Sequence, residues 1–418
     1  MDIRAPIRTD LTQGRAKLVE FTRTDITDEE SVLAGFTKPW PPGASQGSDI
    51  TVFSTAASIR FYEKHPALLP LSSRVNVTGV ENVIKGSLAC GATILIATSS
   101  GSVGVRSTRF FLAPWESEPK YFTQVLQDGG KETTRPHHEF FSNYGYTKMI
   151  GETRVLAADK SSGAGGKALR TGALRPGNGI YGVGGDQIVE LYLNDPDTRM
   201  TWIPNIVQHF IAAENCSLAH LCYEQRLVEL GRGGKNPDIG GKSFIVTDAG
   251  PPIPYSDCYR TIEVLTEGTV KFRILSSSLM LIFAHVLQAY HLTTHFLSQS
   301  SNVLLRAAGA FLPKLSTPII HLQPPMWELT NVHLIFDSSN ARARPESGGL
   351  GYEPLWTSLE GMCQVLLDYQ SGRVVNDTHS SGGQGSLATS GVPHAQAGVK
   401  EGLDKAGSIV THSNGLAK

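Results

Sequence analysis

Tyr144 and Lys148 stand four residues apart in S-N-Y-G-Y-T-K-M-I-G-E, residues 142–152. Four residues is about one helical turn, so a helix here projects both side chains from one face. A phenol titrates at roughly 10 and is a poor base at neutral pH. A neighbouring ammonium favours the phenolate and lowers that pKa. Such a pair can move a proton on or off an alcohol while hydride leaves the carbon, as oxidation of a secondary alcohol to a ketone requires. The same spacing also fits the solvated face of an ordinary helix. Thr98-Ser99-Ser100 sharpens the chemical reading, because it ends the apolar run T-I-L-I-A-T at 93–98. Ligands of open α/β sheets sit at the carboxyl ends of strands. A hydroxyl there can donate to a substrate oxygen; its plain alternative is a turn.

The elements that must position these groups alternate. L-V-E-F-T at 18–22, I-T-V-F at 50–53, the run at 93–98, A-L-R-T-G-A-L-R at 168–175 and S-F-I-V-T at 243–247 read as strands. Continuous apolar runs suit strands covered on both faces of a parallel sheet. Between them, D-I-T-D-E-E-S-V-L-A-G-F opens on a capping-type Asp, and V-N-V-T-G-V-E-N-V-I-K-G-S-L-A-C-G closes on Gly91. The pattern predicts an α/β fold. From about residue 200 it becomes mixed. Residues 274–297 are uncharged and long enough to span a bilayer. Their His and Gln content favours a buried or membrane-surface helix. Residues 373–418 are rich in Gly and Ser and predict a disordered tail.

The 418 residues carry 37 Lys and Arg against 38 Asp and Glu, a net charge of 37 − 38 = −1, which argues against a nucleic-acid partner. Five scattered cysteines without a CxxC pair read as thiols in a reducing compartment. M-D-I-R-A-P-I-R-T-D has no apolar h-region, so no secretory signal is expected. His137-His138 lack the further ligands a metal site needs and read as solvated. Trp202, Trp327 and Trp356 are core residues or the lining of an apolar pocket.

Taken together, A-T-S-S-G-S-V at 97–103, Y-G-Y-T-K-M-I-G-E at 144–152, L-R-P-G-N-G-I-Y-G at 174–182, N-C-S-L-A-H-L from Asn215, I-V-T-D-A-G-P-P-I-P-Y at 245–255 and L-G-Y-E-P-L at 350–355 carry a resemblance. The chain resembles the extended short-chain dehydrogenases, in the 3β-hydroxysteroid dehydrogenase/isomerase branch and its fungal relatives, over most of residues 1–370. The resemblance implies Tyr144 as catalytic tyrosine, Lys148 as its partner and ribose ligand, and Ser100 as the hydroxyl beside the substrate oxygen. It implies that Leu174-Arg175-Pro176 runs past the nicotinamide, and that Asp2, Asp25, Thr55 and Ala56 lie along the cofactor. Asn76 matches a family position that helps order the site; otherwise it is a helix-face amide.

Residues 177–182, G-N-G-I-Y-G, satisfy G-x-G-x-x-G by letter, but Pro176 abuts them and more loop follows. They read as a loop near the nicotinamide rather than a diphosphate cradle. S-S-G-A-G-G-K-A at 161–168 fails the P-loop pattern and reads as a connection. The family's glycine-rich turn joins its first strand to its first helix, and the opening M-D-I-R-A-P looks like the end of its second strand. The expectation is therefore an α/β, Rossmann-like parallel sheet, truncated at its N-terminal side, with a smaller C-terminal substrate region. Residues 1–200 would form the NAD(P)-binding portion, 201–372 the substrate region with 243–260 returning to the sheet, and 373–418 the tail. NAD is the expected cofactor, with NADP open. The expected activity is oxidation of a ring secondary alcohol, such as the 3β-hydroxyl of a sterol, steroid or terpenoid. A cofactor-deficient sterol-binding protein and a nucleotide-sugar epimerase are the alternatives. A cytoplasmic or endoplasmic-reticulum surface location is expected, and a homodimer is open.

Overall fold

Four of the apolar runs become adjacent parallel strands, since each can be covered from both sides. The computed structural model describes residues 1–5, 13–40, 48–129, 134–183, 188–189 and 198–371; the expected tail lies outside them. In chain order the main strands are β1 (Thr51–Ser54), β2 (Ile94–Thr98), β3 (Thr123–Leu126), β4 (Ala168–Pro176), β5 (Val207–Gln208), β6 (Lys242–Val246), β7 (Ile253–Pro254) and β8 (His333–Phe336). The principal sheet runs β1-β2-β4-β6, every pair parallel. Among the described residues the outer edge of β1 pairs with no strand. The run at 18–22 does not become a strand. Gly14–Leu18 is a short 3-10 helix, and only Arg23 reaches a β-bridge, with Asp2. Leu18 and Val19 stay exposed, so no second layer rewards pairing there.

The main helices are α1 (Glu29–Phe36), α2 (Val80–Ala89), α3 (Asn143–Ala157), α4 (Ala213–Gly231), α5 (Ser277–Ser298) and α6 (Val303–Phe311). Asp28 caps α1 through its side chain on Glu30 N–H. α2 continues a turn at Leu69–Ser73 and a π-helical stretch at Arg74–Gly79. Gly91, at φ 68°, closes it.

Strand alternation divides the core. Leu95 and Ala97 pack with Val80, Val83 and Val155 beneath α2 and α3. Ile94 and Ile96 face the other way, among Cys216, Ala219, Tyr223 and Leu227 of α4. Gly172 on β4 allows Tyr223 to lie flat on the sheet, since a Cβ there would sit 2.2 Å from the ring. A second sheet, β7-β5-β8-β3, brings residues 253–254 and 333–336 against 123–126. α5 and α6 fold back on each other as a hairpin, tied by Tyr290 Oη donating to the Pro313 carbonyl at 2.6 Å. No described helix is long and apolar enough to cross a membrane.

Candidate active site

Helix α3 starts where Ser142 Oγ accepts the Gly145 N–H at 3.2 Å. From that cap, Tyr144, Lys148 and Glu152 follow at one-turn intervals on one face. The facing element is the turn after β2. There Ser100 Oγ accepts the Ser102 N–H at 3.2 Å and lies beside the Tyr144 phenol. Lys148 Nζ donates to the Thr98 carbonyl at 2.7 Å. The fold thus places Tyr144, Lys148 and Ser100 together at the carboxyl end of β2.

Burial pushes the Tyr144 phenol up, and Ser100 beside it only partly offsets this. The expected lowering by Lys148 is not what governs it. Tyr144 is 8 % exposed, so desolvation of the phenolate outweighs the favourable contacts. Burial likewise pulls Lys148 down to about 8, against the opposing charge of Glu152.

Under this pair lies a network that the sequence did not single out. Arg175 grips Glu152 with Nε to Oε1 at 3.0 Å and Nη2 to Oε1 at 2.6 Å, and Ser99 Oγ donates to the same carboxylate. All three residues are buried. Thr98 Oγ1 lies 2.8 Å from His220 Nε2, and His220 Nδ1 lies 2.8 Å from the Cys216 carbonyl. A carbonyl only accepts, so Nδ1 carries the proton and Nε2 accepts from Thr98. Burial lowers the His220 pKa, which favours that neutral ring. The available signal for Glu152 was its place four residues after Lys148. His220 had none in local spacing.

A narrow cleft beside Lys148 is lined by Ser54, Ala56, Asn76, Thr98, Ser99 and Glu152, among others. Asn76 is buried and joins the loop after β1 to α3. Its Oδ1 accepts Ser58 N–H at 2.8 Å, and its Nδ2 donates to Ser58 O at 3.0 Å and Thr147 Oγ1 at 3.1 Å. Lys148 Nζ has three protons and one hydrogen-bond acceptor among the described residues, Thr98 O. A buried ammonium with donors to spare, at the carboxyl ends of parallel strands, fits the nicotinamide-ribose half of NAD(P).

The other expected cofactor residues are placed differently. Thr55 is exposed in the loop after β1, beside Ala56. Leu174 has its side chain in the core under α4, while its carbonyl accepts the Ser99 N–H at 2.7 Å. Pro176 ends β4. Asp2 is exposed, and its Oδ1 accepts Arg4 N–H at 3.1 Å. The N–H and hydroxyl of Thr27, at 2.9 and 2.8 Å, hold the Asp25 carboxyl below its usual range. Neither aspartate lines the cleft at Lys148.

G-N-G-I-Y-G leads from β4 into a two-residue strand, Ile180–Tyr181, so it opens no helix. S-S-G-A-G-G-K precedes β4, at the opposite end of the sheet from Lys148. The five cysteines are free thiols. His137 Nε2 lies 2.8 Å from Asn143 Oδ1. Trp327 lines an apolar pocket of about 440 Å³ with Phe110, Phe122, Ile206 and Leu281. Its Nε1 donates to Ser277 O at 3.1 Å. Trp356 packs beside a separate core cluster around Tyr181, and Trp202 does not line the pocket.

Residues 12–267 match the model of the 3-beta hydroxysteroid dehydrogenase/isomerase family. The chain is 26% identical over 349 residues to 3 beta-hydroxysteroid dehydrogenase type 7 of Mus musculus, covering 82% of this chain and 79% of that one. It is 25% identical to short-chain dehydrogenase/reductase family 42E member 1 of Bos taurus, over 61% of this chain and 60% of the relative. Among solved structures, UDP-glucose 4-epimerase from Thermotoga maritima aligns with a TM-score of 0.50 at 15% identity, over 87% and 89% of the two chains. A putative epimerase from Burkholderia cenocepacia aligns at 0.51 and 13%, over 88% and 87%. These structural likenesses establish the shared Rossmann-like α/β fold.

Proposed function

The chain belongs to the 3-beta hydroxysteroid dehydrogenase/isomerase family, and from that premise we propose that it is an NAD(P)-dependent oxidoreductase acting on a ring secondary alcohol. The substrate class we assign is a 3β-hydroxyl on a sterol, steroid or terpenoid. One observation carries the proposal: Tyr144, Lys148 and Ser100 meet at the carboxyl end of β2, with Lys148 one turn from Tyr144 and donating to Thr98 O.

In oxidation, Ser100 orients the substrate hydroxyl and Tyr144, as phenolate, accepts its proton. The carbon-bound hydrogen leaves with its electron pair, and NAD(P), when bound, supplies the acceptor for that hydride. Lys148 would hold the nicotinamide ribose. The Glu152–Arg175 pair and Asn76 keep α3 in place against the strand ends. Burial keeps the resting Tyr144 phenol protonated. Oxidation should therefore accelerate as pH rises, until Lys148 loses its charge above about 8. Reduction, which needs the phenol as donor, should show no such acceleration.

The test follows reduced nicotinamide and ketone formation from 3β-hydroxysterols with NAD or NADP. Wild type should turn over, and Tyr144→Phe should lose a factor of about 10²–10⁴ while remaining folded. A folded chain with no turnover and no saturable NADH binding, but with saturable sterol binding, would instead be a sterol-binding protein. Turnover of a UDP-sugar would replace both with an epimerase.

A further inference from the structure

Lys148 and Glu152 stand one turn apart on the buried face of α3, each only 6% exposed. Side chains so spaced start about 5–6 Å apart at Cβ. Yet among the described residues Lys148 makes no ion pair, and its hydrogen bond goes to the Thr98 carbonyl. Other partners hold the carboxylate. Arg175 grips it through Nε and Nη2, and Ser99 Oγ donates to Oε2. Ser99 is itself fixed, since its N–H donates to Leu174 O at 2.7 Å. Gly151 presses this turn of α3 onto the preceding helical run, where a Cβ would sit 2.2 Å from the Asn76 carbonyl oxygen.

The other groups that face Lys148 supply no counter-charge. Tyr144, a turn earlier, is a protonated phenol, and His220, behind Thr98, is a neutral ring. β1, β2, Leu69–Ser73 and Gly101–Val103 contain no charged residue. Along the run at 74–89, Arg74 is exposed, Glu81 pairs with Arg154, and Lys85 pairs with Glu29, all at the surface. β4 brings Arg175, and beyond it the Asp128 carboxyl feels the guanidinium in turn. The buried charges therefore alternate across the strand ends as Lys148, Glu152, Arg175 and Asp128. Burial penalises the ammonium of Lys148, and Glu152 is the charge that opposes this penalty.

The offset position has a use. A carboxylate in direct contact would favour the ammonium but would also occupy its protons. One held a turn away favours the charge and leaves those protons free. Arg175 makes the buried carboxylate tolerable, and its own charge works against Lys148.

We propose that Glu152 is a positioning residue whose carboxylate, held one turn from Lys148 by Ser99 and Arg175, keeps that lysine an ammonium with protons to spare, while Arg175 limits the effect. On the function proposed above, this pair sets how far into alkaline pH Lys148 can hold the cofactor.

The experiment titrates Lys148 in the unliganded 418-residue chain. Acetic anhydride acetylates the free amine and not the ammonium, so the pH dependence of labelling, read on the Lys148 peptide by mass spectrometry, gives its midpoint. The variants are Glu152→Gln, which still accepts from Ser99 and Arg175 but carries no charge, Arg175→Met, and the two together. Circular dichroism checks each fold. The wild-type midpoint should lie near 8. Glu152→Gln should lower it by about one unit, a tenfold loss of ammonium, because the guanidinium then acts unopposed. Arg175→Met should raise it by a similar amount. The double variant should fall between the single ones and below the wild type. A helix that had merely been loosened would move all three upward, toward the ordinary lysine value, as water enters. Midpoints that move together or not at all overturn the proposal. So does a double-variant midpoint at or above the wild type's, which decides the matter even where a single variant fails to fold. The alkaline limb of sterol oxidation should shift in the same order. That limb needs turnover and the acetylation midpoints do not, so a chain without turnover would sink the enzyme reading and still decide the role of Glu152.

Discussion

Lys148 shows what the site costs at the scale of one residue. Burial lowers its pKa from the ordinary 10.5 to about 8, equivalent to roughly 3 kcal/mol against the buried ammonium. The folded value lies below the unfolded one, so between about 8 and 10.5 the unfolded chain binds more protons. Stability should therefore rise with pH through that window. Lys148→Met should raise unfolding free energy by about 2 kcal/mol near pH 7, with the gain vanishing by about pH 10.5, as read from urea unfolding. The same variant should lose saturable NADH binding. Tyr144 and Lys148 were legible from their spacing together with the motifs around them. The net direction of the Tyr144 shift was not, because it depends on how much protein surrounds the phenol.

At the scale of elements, two contacts join pieces that are distant in sequence. Glu152 ties α3 to β4 through Arg175 and to the end of β2 through Ser99. Glu152→Ala leaves a buried guanidinium without its carboxylate and should cost about 3–5 kcal/mol. Glu152→Leu with Arg175→Met should recover most of that in thermal unfolding, since an apolar pair of similar volume needs no desolvation. Asp128 joins the end of β3 to β6 by accepting the Ile245 N–H at 2.6 Å. Burial pushes its carboxyl from 3.8 up to about 6, against the hydrogen bond from Ile245 N–H. Here the folded value is the higher one, so the folded chain binds more protons between 3.8 and about 6, and stability falls as pH rises through that range. Asp128→Asn should therefore gain about 1–2 kcal/mol near pH 7 and nothing near pH 3.5, again by urea unfolding.

At the scale of the whole molecule, continuous apolar runs determined the parallel sheet, because a strand apolar on both faces needs a layer on each side. The runs ending in Phe53, Thr98, Arg175 and Thr247 form that sheet, and the one-turn spacing of Tyr144 and Lys148 put the pair on one helix face. The motifs also announced the family before any strand was paired. Leu18–Thr22 shows the limit: its composition suits a strand, but pairing depends on a neighbour, and only Arg23 finds one. The partnership of Glu152 with Arg175 spans 23 residues and that of Thr98 with His220 spans 122. Local periodicity carries no information over those distances. Exposure was equally a tertiary decision. Residues 274–297 read as a buried or surface helix, and only packing assigned Leu281, Ala284 and Leu287 to the core and left Ile282, Phe283 and Val286 outside. The sequence by itself therefore determined the sheet, the family and the placing of Tyr144 and Lys148 on one helix face, because these follow from short-range pattern. Charge states, buried networks and the uncovered apolar face were decided by the tertiary structure, since each is set by what the folded chain brings alongside.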